Sequence, residues 1–195
     1  MALTSGIGTP SEFDRALLVH SARRLDPTPP TPEALATAPK VLLHDHLDGG
    51  ARPATLIELA EEQGSYDLPG TDAAELAQWF HQGADRRDLG LYLETFGHVV
   101  ALMQRRDAIV RIARECAEDL AADGVVYAEV RMAPELCVEG GLSMDEATDA
   151  MLEGLAQGSA GTELTVRLLC TAMRTAARSV DVAQVALNHR DDGVV

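Results

Sequence analysis

"KVLLHDHLDGG" (Lys40–Gly50) places two histidines two residues apart at the end of an apolar run. Side chains alternate along a strand, so His44, His46 and Asp48 are expected on one face, roughly 7 Å apart, with Asp45 on the other. Two imidazoles at this spacing can converge on one metal ion. The pattern alone leaves open a packed or solvated histidine pair, because a catalytic zinc usually has a third protein ligand.

The rest of the chain predicts strands that alternate with helices. Strand starts lie near residues 41, 125, 165 and 193, and helical apolar spacing is clearest in "RRDAIVRIARECAEDLAADG" (Arg105–Gly124). Alternation of this kind implies a parallel sheet, and no G-x-G-x-x-G follows the first strand, which disfavours a dinucleotide-binding fold. We therefore predict an α/β fold of the (β/α)8 TIM-barrel type, which takes about 250 residues.

Two regions are predicted from composition. Residues 1–39 are expected to form a poorly ordered N-terminal extension, with an extended segment at "DPTPPTPEALATAP" (Asp26–Pro39) and a short helix at "SEFDRALLVHSARR" (Ser11–Arg24). Residues 40–195 are expected to form the N-terminal half of the barrel, about four strands, cut before the fifth. The remainder of the same barrel is then the expected protein partner.

Charge and cysteine content restrict the partners and the compartment. The formal net charge of −15 repels nucleic-acid phosphate and anionic lipid, so no nucleic acid and no membrane is expected as a partner. The three cysteines, Cys116, Cys137 and Cys170, are odd in number and lack a C-x-x-C pair. This argues against a disulfide framework and a thiolate zinc site, and a cytoplasmic location is expected.

The first predicted strand resembles the opening of the adenosine deaminases, members of the metal-dependent amidohydrolase superfamily. "DGVVYAEVRMAP" (Asp123–Pro134) and "VRLLCTAMR" (Val166–Arg174) resemble the second and third barrel strands of that family, and the likeness spans about residues 30 to 195. It implies hydrolytic deamination of adenosine and deoxyadenosine in purine salvage. One zinc ion per active site activates the attacking water, and a purine nucleoside is the small-molecule partner.

The resemblance also implies roles for the residues at the end of the first strand. His44 and His46 would bind zinc, His46 would also touch the nucleoside, and Asp48 would hydrogen-bond the ribose. The family's third zinc histidine, its H-A-G-E glutamate, its water-orienting histidine and its late zinc-binding aspartate have no counterpart in this chain. No catalytic acid or base is therefore expected within it, and we predict no useful deaminase activity for these residues alone.

An apolar lid over the purine is implied for Leu89, Tyr92 and Leu93, and Met173 would lie near the purine pocket. Ordinary helix packing is the alternative for the three lid residues, and core packing is the alternative for Met173.

Other polar residues are predicted to be structural. Glu129 and Arg131 share a face of the second strand and are expected to form an ion pair inside the barrel. The remaining histidines are expected to be packed or solvated. They are His20, His81, His98 and His189.

Two alternatives to an adenosine deaminase remain from the sequence. One is a deaminase of a related 6-aminopurine, such as adenine, a nucleotide or a modified nucleoside. Asp48 favours a nucleoside over a nucleotide, because a carboxylate repels phosphate. The other is an inactive half-barrel that binds a partner through its open sheet edge.

Overall fold

The computed structural model describes residues 29–64, 66–85 and 87–195. The chain divides into two compact units, Met1–Leu35 and Ala36–Val195. The predictions for residues 1–28, including the short helix and His20, lie outside the described residues.

The described part of the proline-rich segment before the first strand contains one short helix. Helix α1 (Pro32–Thr37) replaces the extended chain that we expected, and none of its residues is buried. Proline fits the first turn of a helix, where its missing N–H is not needed, and the Thr31 hydroxyl accepts from the Ala34 N–H at 3.2 Å.

The second unit alternates strands and helices as predicted. Its elements are β1 (Lys40–His46), α2 (Pro53–Glu62), α3 (Ala73–Ala84), α4 (Leu89–Leu102), α5 (Arg106–Ala122), β2 (Val125–Met132), α6 (Met144–Ser159), β3 (Thr165–Cys170) and α7 (Ser179–Asn188). Short 3-10 turns, Leu47–Gly49 and Pro134–Cys137, follow β1 and β2. Among the described residues, no helix has both the length and the apolar character to cross a membrane.

The three strands form one parallel sheet in the order β1-β2-β3. A parallel bridge between Leu168 and Val194 begins a further pairing on the edge of β3 away from β2. The Leu168 N–H donates to the Gly193 carbonyl, and the Val195 N–H donates to the Leu168 carbonyl, each at 3.0 Å. The predicted fourth strand is therefore present as this bridge, and the architecture is a partial (β/α)8 barrel.

The core lies between the sheet and its helices. Strand β2 sends Ala128, Val130 and Met132 into it, and all three are buried. Helices α5 and α6 pack against each other through small residues. Gly154 and Gly158 of α6 face α5 so closely that any side chain there would meet backbone atoms of that helix.

Side chains cap the N-termini of two helices. Ser143 and Glu146 make the reciprocal capping box of α6. Asp72 accepts from two N–H groups in the first turn of α3. The Glu75 carboxylate accepts from the Thr71 N–H and hydroxyl at 3.3 and 3.1 Å.

Candidate functional site

Strand β1 is irregular where it carries the two histidines. Its pairing with β2 passes from Leu42 opposite Ala128 to Asp45 opposite Val130, so β1 has one more residue than β2 between these pairs. Such a β-bulge takes side chains out of strict alternation. Asp45 is among the residues that border the cleft, while burial and, after it, the charge of Asp45 raise the pKa of Cys116 on α5. That the Asp45 side chain faces away from the histidines stays a prediction.

The two imidazoles lie side by side in that cleft. The ring centroids of His44 and His46 are 5.5 Å apart, with the ring planes tilted by 45°. This is shorter than the Cβ spacing of roughly 7 Å between alternate residues of a regular strand. The His46 ring also meets Phe96 of α4 edge-to-face at 6.0 Å. Helix α4, which carries the predicted lid residues and is called the lid helix below, therefore lies against the end of β1.

The guanidinium of Arg131, on β2, contacts the ring of His44, whereas we expected it to pair with Glu129. Its Nη1 lies 2.9 Å from Nε2 and 3.1 Å from Nδ1 of His44. Among the described residues no ion pair joins Glu129 to Arg131, so that prediction is wrong. Arg131 is the ladder partner of His46, which brings its guanidinium to the β1 imidazoles. Glu129 accepts from the Tyr127 hydroxyl at 3.0 Å, and this bond raises the Tyr127 pKa.

Asp48 lies in the 3-10 turn Leu47–Gly49, beyond the end of the strand on which it was predicted. It is 8% exposed, and its Oδ1 lies 3.5 Å from His46 Nδ1 without a hydrogen bond. Burial raises the pKa of this carboxyl, and the charge of the adjacent His46 offsets part of the effect. A buried acceptor without a donor is a natural position for a ligand hydroxyl.

A cleft of about 810 Å³ opens at the carboxyl ends of the strands, a size that suits a small-molecule ligand. Most of the predicted site residues border it. They are His44, His46, Asp48, Tyr92, Leu93 and Met173. Sequence reasoning missed other residues of its wall. These include Phe96, Val100, Ala133, Leu136 and Thr171.

Leu89 is the predicted lid residue that the structure does not bring to the cleft. It begins α4, is 72% exposed and does not border the cavity. Tyr92, Phe96 and Val100 do border it, at spacings of four residues that place them on one helix face. That spacing was the signal available in the sequence for Phe96 and Val100.

The remaining described histidines lie elsewhere, as predicted. His81 is exposed on α3. His98 of α4 is within hydrogen-bond distance of the Tyr66 hydroxyl, with 3.2 Å between Oη and Nδ1. His189 is buried at the end of α7, with Nε2 3.2 Å from an Asp145 carboxylate oxygen.

The histidine pair fits part of a zinc site. The described residues contain no group of three or more His, Cys, Asp or Glu side chains placed to hold a metal ion. His44 and His46 nevertheless offer adjacent imidazole nitrogens, which zinc favours, in an open cleft. Burial raises the pKa of Cys116 and of Cys137 to about 12, so these thiols remain protonated and are poor ligands.

Comparison with known sequences gives a consistent result. Residues 39–195 match the family model described as adenosine deaminase. The chain is 56% identical over 171 residues to adenosine deaminase 1 of Streptomyces coelicolor, covering 85% of this chain and 43% of that protein. It is 56% identical over 173 residues to an adenosine deaminase of Mycolicibacterium gilvum, and the match covers 86% of this chain and 48% of that protein. The chain thus spans about half the length of the curated relatives it matches.

Solved structures resemble the fold over the same region. An Arabidopsis N6-mAMP deaminase is 30% identical with a TM-score of 0.68, covering 84% of this chain and 50% of its own. An amidohydrolase from Burkholderia ambifaria with bound zinc is 27% identical with a TM-score of 0.69, and the match covers 89% of this chain and 47% of that protein. These likenesses confirm the predicted barrel fold.

Proposed function

The chain belongs to the adenosine deaminase family, and from that premise we propose that it supplies the metal-binding and nucleoside-binding face of a zinc-dependent deaminase that hydrolyses adenosine and deoxyadenosine. The observation that carries this proposal is the meeting of His44, His46 and the unpaired Asp48 oxygen in one cleft. A cytoplasmic role in purine salvage is part of the proposal.

The polar residues of the cleft have two binding roles, one toward the metal ion and one toward the nucleoside. His44 and His46 would hold zinc through ring nitrogens, and the bound ion would supply Lewis-acid activation of water toward purine C6. The Asp48 carboxylate accepts from a ribose hydroxyl, which satisfies its buried oxygen and orients the nucleoside. A carboxylate in this partly dry position repels phosphate, which favours a nucleoside over a nucleotide.

The apolar residues of the cleft enclose the base. Tyr92 and Leu93 cover the purine from α4, and Met173 borders the same cleft from the loop after β3. Such a wall excludes water from the reacting ring. Leu89 is not included, because it does not border the cleft. The general acid and the water-orienting groups are proposed to lie in the part of the family fold that this chain does not span.

A second candidate is a deaminase of a modified 6-aminopurine. The likeness to the Arabidopsis N6-mAMP deaminase favours it, at 30% identity and a TM-score of 0.68. The two candidates differ in the substituent on the 6-amino group and in the phosphate. A panel of adenosine, adenine, N6-methyladenosine and AMP separates them.

The experiment is a fusion of this chain to the segment of the Streptomyces coelicolor relative that follows the matched region. We expect the fusion protein to bind one zinc ion and to form inosine from adenosine. His44→Ala should abolish both, while His81→Ala, a change of the same size on the exposed face of α3, should leave both intact. The unfused chain should form no inosine. Equal zinc content and activity in the two variants would refute the proposal.

A further inference from the structure

The loop after β2 is tied to the loop after β3 by a buried carboxylate. Glu135, in the 3-10 turn Pro134–Cys137, is 9% exposed, and its Oε1 accepts the backbone N–H of Met173. Its other oxygen, Oε2, is buried without a hydrogen bond. Glu135 does not border the cleft, but Met173 does. A hydrogen bond to a charged acceptor is stronger in a partly dry position, so this contact fixes the Met173 backbone.

The same loop is tied on its other side to the lid helix. The Gln104 amide donates to the Val100 carbonyl at 2.7 Å and to the Leu136 carbonyl at 2.8 Å. Its side-chain oxygen accepts from the Glu139 N–H at 2.9 Å. Val100 and Leu136 border the cleft, whereas Gln104 does not. One side chain thus joins α4 to the loop after β2.

We propose that Glu135 and Gln104 are positioning residues that set the distance between the apolar walls of the cleft, and so its fit to the purine base. The inference rests on the proposed function. Neither residue touches the cleft, and each acts through a neighbour that does: Glu135 through Met173, and Gln104 through Leu136. Errors of about 1 Å in such supporting contacts strongly reduce productive binding.

The test uses the 195-residue chain, with site-resolved amide exchange and calorimetric titration of adenosine. In Glu135→Ala we expect the Met173 amide to exchange about tenfold faster and the adenosine Kd to rise about tenfold, as expected for one lost hydrogen bond to a charged acceptor. Glu135→Gln keeps an acceptor oxygen of the same reach and should restore both values. Glu163→Ala, the same change at an exposed site before β3, should alter neither.

Gln104 has its own readout. In Gln104→Ala the Glu139 amide should exchange faster while the Met173 amide does not change, and adenosine binding should weaken. Gln184→Ala, on the exposed face of α7, is the matched control and should behave like the wild type.

Several outcomes overturn the inference. One is unchanged Met173 exchange in Glu135→Ala, and another is faster exchange with an unchanged adenosine Kd. If the wild-type chain binds no adenosine, the half of the site in this chain does not hold the nucleoside by itself, and the Met173 amide in the Ala and Gln variants alone decides the positioning role. The exchange rate of the Leu168 amide, which donates to the Gly193 carbonyl, shows whether a variant keeps the fold. If it also exchanges faster in Glu135→Ala, Glu135→Asp replaces that variant, and unchanged Met173 exchange there refutes the inference.

Discussion

Replacing Gly158 by alanine tests the close packing of α5 and α6. The added Cβ would lie 2.1 Å from the Arg114 carbonyl oxygen and 2.8 Å from the Ala117 Cβ. The first neighbour is backbone and cannot rotate away, so the helices must move apart. Overpacking costs about 1–3 kcal/mol, and the better helix propensity of alanine returns up to about 1 kcal/mol. We place the clash at the upper end and expect a net loss of about 2 kcal/mol in unfolding free energy.

The chain supplies a matched control in Gly97, in the interior of α4. An added Cβ there meets nothing within 4 Å, so the only effect on stability comes from the better helix propensity of alanine. Gly97→Ala should therefore gain up to about 1 kcal/mol. Urea unfolding of both variants, followed by circular dichroism, gives the two values. A Gly158→Ala protein as stable as the wild type, with an unchanged m-value, would show that α5 and α6 are not in backbone contact.

Three further outcomes are expected. Burial raises the pKa of the Cys116 and Cys137 thiols from 9.0 to about 12, which lowers their thiolate population at pH 8 about 1000-fold. Ellman's reagent should therefore label them rapidly only after unfolding. Because Cys170 is a third free thiol, rapid labelling of more than one thiol in the native protein would contradict their burial. Burial also lowers the pKa of His98, whose ring lies 5.2 Å from that of Trp79, the one tryptophan of the chain. Trp79 fluorescence should titrate with a midpoint below the 6.5 of an ordinary histidine, and His98→Gln should remove the transition. The unfolded chain takes up this proton first as the pH falls through 6.5, so stability should decrease with acidification in that window. Finally, Glu115 is 5% exposed and accepts from the Thr55 hydroxyl at 2.6 Å. Glu115→Ala should lower the unfolding free energy by about 2–3 kcal/mol, and Glu118→Ala, on the same helix but partly exposed, by less than about 1 kcal/mol. Equal losses in the two variants would count against the buried network.

Periodicity was sufficient to predict the elements of the barrel. In α5, Ile109, Ile112 and Ala113 recur at helical spacing, and all three are buried. The capping box of Ser143 and Glu146 at the start of α6 is equally local, since its two residues are three positions apart. These features depend on residues close together in the chain, which is why sequence alone reveals them.

The site was predictable only in part, because its geometry depends on contacts between distant segments. The motif located His44 and His46, and the cleft contains both. The bulge between Leu42 and Asp45 was not predicted, because it depends on how β1 pairs with β2. The partner of Arg131 was missed for the same reason: its guanidinium meets a ring 87 residues earlier in the sequence.

The extra residue of β1 between Leu42 and Asp45 has a consequence for how this segment can evolve. A deletion of Leu43 would remove the extra residue and leave the pairs from Asp45 onward with their present partners in β2, so His46 would keep its face of the sheet. A deletion of His44 would have the same effect on the pairing but would remove one of the two imidazoles. The bulge itself is thus not required for the orientation of His46, and descendants should lose Leu43 more readily than His44.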